Sequence, residues 1–158
     1  MPEDGKLMKI GLIVAAAIIV IRIILEPAGA PLAVNYILGV AWLYFIMPAL
    51  FAISIRAFGH ARPFGRLLRD VVLFAVFTRV MVAVTYVLAY YLEWDAPRFS
   101  EKQGGTVGEN ITPLNGILLI PLRNAIIWIV MATILGIIIG AITLAVKRKR
   151  PEGTVNPA

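Results

Sequence analysis

The sequence predicts an all-α membrane protein: a bundle of four transmembrane helices in one domain, with both chain ends cytoplasmic. Three observations predict it. Hydrophobic residues make up 60% of the 158, charged residues 15%, and the mean hydropathy is +0.88. An average soluble domain has about 45–50% apolar and about 25% charged residues, so the excess needs lipid. Next, four apolar segments reach the ~20 residues required to cross a hydrocarbon core of ~30 Å. Finally, the basic residues collect at alternate ends of those segments, as the positive-inside rule demands. No alternating strand pattern suggests a barrel, and backbone groups in lipid must then be satisfied within helices.

The first span covers residues 7–26 and ends in "EPAGAP". Ala28-Gly29-Ala30 has the small-x-small form of a signal-peptidase site. Arg22 interrupts the apolar stretch before it, and Pro31 would follow the cut. The expectation is therefore an uncleaved tight turn, with Pro27 ending one helix and Pro31 opening the next. The second span is 32–55, followed by the short basic loop "RAFGHARPFGR", whose glycines and proline mark a turn. The third span is 67–92, and an outer loop, 93–120, follows it. Loops beyond about 12–15 residues carry function, dock a partner or are disordered.

The fourth helix opens with Thr112 and Pro113, a cap and first-position pair. Run on to Val146 it would measure about 51 Å at ~1.5 Å per residue, too long for one crossing. A kink at Pro121 is expected, with the span at 121–146, Arg123 at the headgroups and Trp128 in the aromatic belt. A basic tail, 147–158, closes the chain; its "KRKR" reads as a topology anchor that would also hold anionic lipid.

With the amino terminus inside, Lys6, Lys9, Arg56, Arg62, Arg66, Arg69 and residues 147–150 are cytoplasmic, and Arg98 and Lys102 are external. That distribution points to the inner membrane of a prokaryote. The net charge of +6 accordingly reflects topology and anionic-lipid contact rather than nucleic-acid binding. The chain has no cysteine and one histidine, His60, so a thiolate site and a bis-histidine site within one chain are excluded. No metal and no cofactor are expected. Ser54 and Ser100, the only serines, lack a nucleophile motif, and no catalytic residue is assigned.

Arg79 is the exception to the apolar pattern. It stands 12 residues from Leu67 and 13 from Leu92, near mid-span. Either edge is ~18 Å away, beyond the reach of one side chain. A central arginine costs between ~3 and ~15 kcal/mol and faces a bundle interior or a watery cavity. No carboxylate of this chain matches its depth: Asp70 lies near the inner end, Glu26 and Glu93 near the outer. Tyrosine or threonine hydroxyls, carbonyls freed by Pro48, water, an anion or another subunit's carboxylate remain as partners. Helical spacing puts Val72, Ala75, Val76, Val82, Ala83, Tyr86 and Tyr90 on its face. Arg22, Asn35, Arg123 and Asn124, with Glu26 and Glu93, fall at one outer depth, where they could form a polar mouth or merely snorkel to headgroups.

Ala132, Gly136 and Gly140 repeat every four residues, a small-xxx-small stripe for close helix packing within the chain or between copies. Gly11 and Ala15 match it more weakly. The leading expectation is a non-enzymatic accessory or structural membrane component that associates with itself or with another subunit. The alternatives are a small transporter or channel for an anion or amphiphile with Arg79 in the pathway, and a lipid-modifying enzyme at the inner face using Asp70.

Overall fold

Apolar residues on nearly every face force the chain into helices that bury only part of their surface against one another. The computed structural model describes residues 3–146 apart from Pro27 and Asp95. The basic run 147–150 and the side chain of Asn35 lie outside the described residues. The elements are α1 (Glu3–Leu25), α2 (Leu32–Ile37), a 3₁₀ turn (Val40–Trp42), α3 (Leu43–Ala57), α4 (Pro63–Leu92) and α5 (Ile120–Ala145). Four stretches are long and apolar enough to cross a membrane: Gly5–Leu25, Val40–Ala57, Pro63–Leu92 and Asn115–Ala145. Among the described residues there is no strand, only one isolated bridge between Ser100 and Val107.

Helices α3 and α4 form the centre. Both α1 and α5 pack against each of them. The core joins Leu43, Met47, Phe51, Ala52 and Ile55 of α3 to Leu67, Val71, Phe74 and Ala75 of α4. Phe74 meets Tyr44 and Phe51 edge-on, with ring centroids 6.2 and 6.1 Å away, the preferred aromatic geometry. Outward-facing Ile13, Ile24, Val80, Val84, Ile134 and Ile138 stay exposed, as lipid-facing side chains do.

The start of α1 lies beside the end of α3, where Lys6, Leu7 and Phe58 line one groove. The end of α5 is there too: Arg56 Nη1 donates to the carbonyls of Thr143, at 3.3 Å, and of Val146. A cation on those orphan carbonyls complements the negative end of the helix dipole. Beside it Asp70 accepts from Arg66 Nε (3.3 Å) and Arg69 Nη2 (2.9 Å). We call this the tail end of the bundle; the opposite end carries residues 93–114 and is the cap end.

Two elements depart from the sequence expectation. The second segment is not one span over 32–55. It breaks at Leu38–Gly39, where Gly39 is extended (φ −77°, ψ 137°), and resumes as the 3₁₀ turn leading into α3. Glycine weakens a helix interior by about 1 kcal/mol, and here its extended backbone ends α2. The fourth segment has no break at Pro121. The chain is helical from Pro113, and Thr112 Oγ1 accepts the Asn115 N–H at 3.4 Å. A π-turn over Asn115–Leu119 then passes directly into α5, with the Ile120 N–H bonded to the Asn115 carbonyl. Pro121 has no N–H to give a regular turn, and the wider winding just before it lets the helix continue.

The small-residue stripe is used inside the chain. A Cβ on Gly136 would lie 2.6 Å from Val71 Cγ1 and 3.0 Å from Pro48 Cγ, and one on Gly140 would lie 2.6 Å from Leu67. Ala132 is buried in the same core. On α1, a Cβ at Gly11 would strike Met47 at 2.5 Å. Gly136→Leu should thus destabilise the chain by about 1–3 kcal/mol or more, as overpacking does. Thermal unfolding in non-ionic detergent measures it, and an unchanged midpoint would contradict this packing.

Candidate functional site: an arginine-lined cavity

Three features of the local sequence open a space at the cap end. The break at Gly39 replaces helix with a backbone turn, α1 carries Arg22 in its last turn with Glu26 just beyond it, and residues 96–107 fold back as a cap. The cap is compact because of its glycines. Gly104 takes the left-handed conformation (φ 76°). Gly105 lies so close to Phe99 that a Cβ would sit 2.2 Å from its backbone. The Glu101 and Val107 N–H groups donate to Val107 O and Phe99 O, each at 2.7 Å. The cap is fastened to α4 by Thr106 Oγ1, which donates to Tyr86 O at 2.9 Å. Phe99 also meets the Tyr86 ring edge-on at 5.1 Å.

Beneath this cap lies a cavity of about 330 Å³. Ile19 and Arg22 of α1, Gly39–Ala41, Arg79, Val82 and Tyr86 of α4, Arg98 of the cap, and Asn124 and Trp128 of α5 line it. Along α4 the lining from Tyr86 to Arg79 spans about 10 Å. Past Arg79, the tail-end half of the bundle is filled by the core of Met47, Phe51, Phe74 and their neighbours. The cavity is therefore a blind recess ending at mid-bundle.

Its floor is Arg79, only 5% exposed. The guanidinium carbon stands 5.0 Å from the Tyr44 ring centroid and 4.5 Å from that of Trp128. Desolvated cation–π contacts contribute about 2 kcal/mol each. Two of them offset the lower figure for a mid-membrane arginine and fall well short of the upper one. A ring face also cannot accept a hydrogen bond as a lone pair does. Arg79 Nε, Thr78 Oγ1 and the Tyr44 hydroxyl are buried without a hydrogen bond of good geometry among the described residues.

The mouth is charged as well. Arg22 Nη2 donates to Glu26 Oε1 at 2.7 Å, an i,i+4 pair. Arg98 Nε lies 2.7 Å from Glu26 Oε2, and the Glu26 side chain is only 2% exposed. Arg98 also covers the Phe99 ring, 4.3 Å from its centroid. Burial pulls the Arg98 guanidinium below its ordinary value, and the Glu26 carboxylate opposes that pull. One carboxylate thus holds two guanidinium groups, and a third waits at the floor.

The structure brings Arg79, Arg22, Tyr86 and Asn124 together around this space. It places the other sequence candidates elsewhere. Tyr90 lines a cleft on the outside of the cap with Tyr91 and Glu93. A Cβ on Gly116 would meet its ring at 2.2 Å. Arg123 lines a second surface cleft with Glu101 and Asn115. Trp128 is at the depth of Arg79, and not in a belt at the helix end. Tyr44 is buried, whereas Trp42, two residues earlier, is exposed. Sequence reasoning left Arg98, Tyr44 and Trp128 out of the site. The length of the 93–120 loop was the one signal pointing to Arg98.

Neither a family model, nor a curated protein, nor a solved structure matches this chain.

Glu26→Gln should remove the counter-charge that Arg22 and Arg98 share. Breaking a buried ion pair costs about 3–5 kcal/mol because it strands the partner charge. A lowered unfolding midpoint, partly restored in the Arg22→Gln/Glu26→Gln double variant, is expected; an unaffected midpoint would show that the Glu26 pairings do not hold the mouth.

Proposed function

We propose that this chain is a multi-pass membrane protein whose cap-end cavity receives an anion or the anionic headgroup of an amphiphile, as the binding step of a small transporter. One observation supports this above all: a guanidinium 5% exposed borders an open recess with its Nε–H unsatisfied. An intramembrane charge facing a cavity marks a ligand or ion pathway. Because the recess opens at the cap end and stops at the core, the resting state is a carrier open on one side rather than an open channel. Moving a ligand onward requires α4 and its neighbours to shift around Arg79.

The reading as a self-associating or accessory component rested on the small-residue stripe, on an Arg79 without partners and on the lack of catalytic groups. The stripe is used in packing within the chain, and the unsatisfied Arg79 borders a cavity rather than an outer surface, which favours the ligand reading. The inner-face enzyme reading needs a carboxylate available for proton transfer. Asp70 is instead occupied by Arg66 and Arg69 and is 6% exposed.

Orientation follows from charge. Lys6, Lys9, Arg56, Arg62, Arg66 and Arg69 belong to the tail end, which the positive-inside rule assigns to the cytoplasm. Both chain ends are then cytoplasmic, in a prokaryotic inner membrane, and the cavity mouth faces the outer side. The exposed Arg62 and Arg69 would contact anionic lipid.

The test is transfer of a fluorescent anionic lipid between leaflets of proteoliposomes, read by chemical quenching from outside. Wild-type protein should accelerate transfer over protein-free vesicles. Arg79→Gln should reduce it at least tenfold while eluting as wild type in detergent. Equal transfer by the two proteins rules the proposal out.

A further inference from the structure

We infer that the cavity is built for a phosphomonoester dianion, which deepens the anion-site reading by naming the ligand's chemistry. The first support is charge. Arg22, Arg79 and Arg98 border one recess, and among the described residues Glu26 is the single carboxylate paired within the group. Three guanidinium charges against one carboxylate leave two positive charges in excess. A fatty-acid carboxylate or a phosphodiester carries one negative charge and would leave one buried guanidinium uncompensated. A phosphomonoester carries about −1.5 to −2 at pH 7 and matches the excess.

The second support is the count of acceptor atoms. Glu26 shows what a carboxylate supplies here: one oxygen to Arg22 and one to Arg98. Both of its oxygens are turned to the mouth pair. A phosphomonoester has three terminal oxygens, one more acceptor atom than a carboxylate brings to the guanidinium groups that line the recess. Charge-assisted bonds of that kind are short and strong. Donors also remain: Arg22 Nε, Arg79 Nε and Arg98 Nη2 are buried without a hydrogen bond of good geometry.

The remaining wall is apolar, formed by Ile19, Val40, Val82 and Trp128. At about 330 Å³ the recess is at the small end of ligand cavities, which run about 300–1,000 Å³. It has room for a headgroup and the first carbons of a chain. A lipid phosphomonoester and free phosphate share the recognised chemistry.

The test is calorimetric titration of the full chain in non-ionic detergent with dioctanoyl phosphatidic acid, dioctanoyl phosphatidylglycerol, laurate and inorganic phosphate, at pH 7.5 and pH 5.0. At pH 7.5 phosphatidic acid should bind at least tenfold tighter than phosphatidylglycerol or laurate. Its second proton goes on near pH 6, so the ligand is a dianion above that pH and a monoanion below it. Its affinity should thus fall about tenfold at pH 5.0, while that of phosphatidylglycerol should not fall. The charged or titratable groups lining the recess are Arg22 from α1, Arg79 and Tyr86 from α4 and Arg98 from the cap, with Glu26 behind Arg22 and Arg98 and Tyr44 behind Arg79; α5 lines it with none that titrates. A change in the protein's own charge would act on both lipids, and the phosphatidylglycerol arm registers it.

Inorganic phosphate binding as tightly as phosphatidic acid would identify the free anion as ligand; tenfold weaker binding would identify the lipid. Arg79→Gln should abolish the preference, and the wild-type pH comparison decides the matter even where that variant does not fold. Equal, Arg79-dependent binding of phosphatidic acid, phosphatidylglycerol and laurate overturns the dianion assignment and leaves the anion site standing. No binding of any of the four overturns both.

Discussion

One buried positive charge organises this bundle. Arg79 sits at mid-length of α4, 5% exposed, with no carboxylate at its own level among the described residues. A guanidinium cannot shed its charge to escape a low-dielectric site, since it remains protonated in proteins. The surroundings must therefore supply the stabilisation. Here they do it with two aromatic faces from separate helices, Tyr44 on α3 and Trp128 on α5. Those contacts also fix the relative depth of α3, α4 and α5.

Ring faces stabilise charge without consuming donors, and that difference shapes the cap end. If a carboxylate had been placed opposite Arg79, the site would be closed and neutral. Instead the chain keeps a carboxylate, Glu26, at the mouth, engaged by Arg22 and Arg98. The interruption at Gly39 and the folded cap keep helix side chains out of the space between. Close packing by Gly136, Gly140 and Gly11 keeps the other half of the bundle solid. Solid half and open half divide at the level of the arginine.

How much of this was legible in the sequence depends on how local each signal is. The four apolar stretches and the central position of Arg79 could be counted directly, because hydropathy and distance from the segment ends are properties of a short window. The Arg22–Glu26 pair was legible by its i,i+4 spacing. The break at Gly39 was hidden inside "YILGVAWLYF", which reads as an unbroken apolar run. The winding before Pro121 was read as a kink, since a proline announces a missing donor without saying how the backbone compensates. Arg98 reaching Glu26 is a tertiary event that no local pattern encodes. The stripe on α5 was readable as packing, but its partners Val71, Pro48 and Leu67 were not.

The π-turn at Asn115–Leu119 has a mechanical meaning for the cap. It inserts one residue beyond regular winding between the cap and α5, and an α-helix turns by about 100° per residue. Shortening the turn by one residue would swing Arg98 and Thr106 by more than a quarter revolution about the α5 axis relative to Asn124 and Trp128. The cap's other tether, Thr106 on the Tyr86 carbonyl, resists such a swing. The length of a helical turn outside the recess thus acts as its aiming device. Access to the arginine is tunable by insertion or deletion there, with every lining side chain left unaltered.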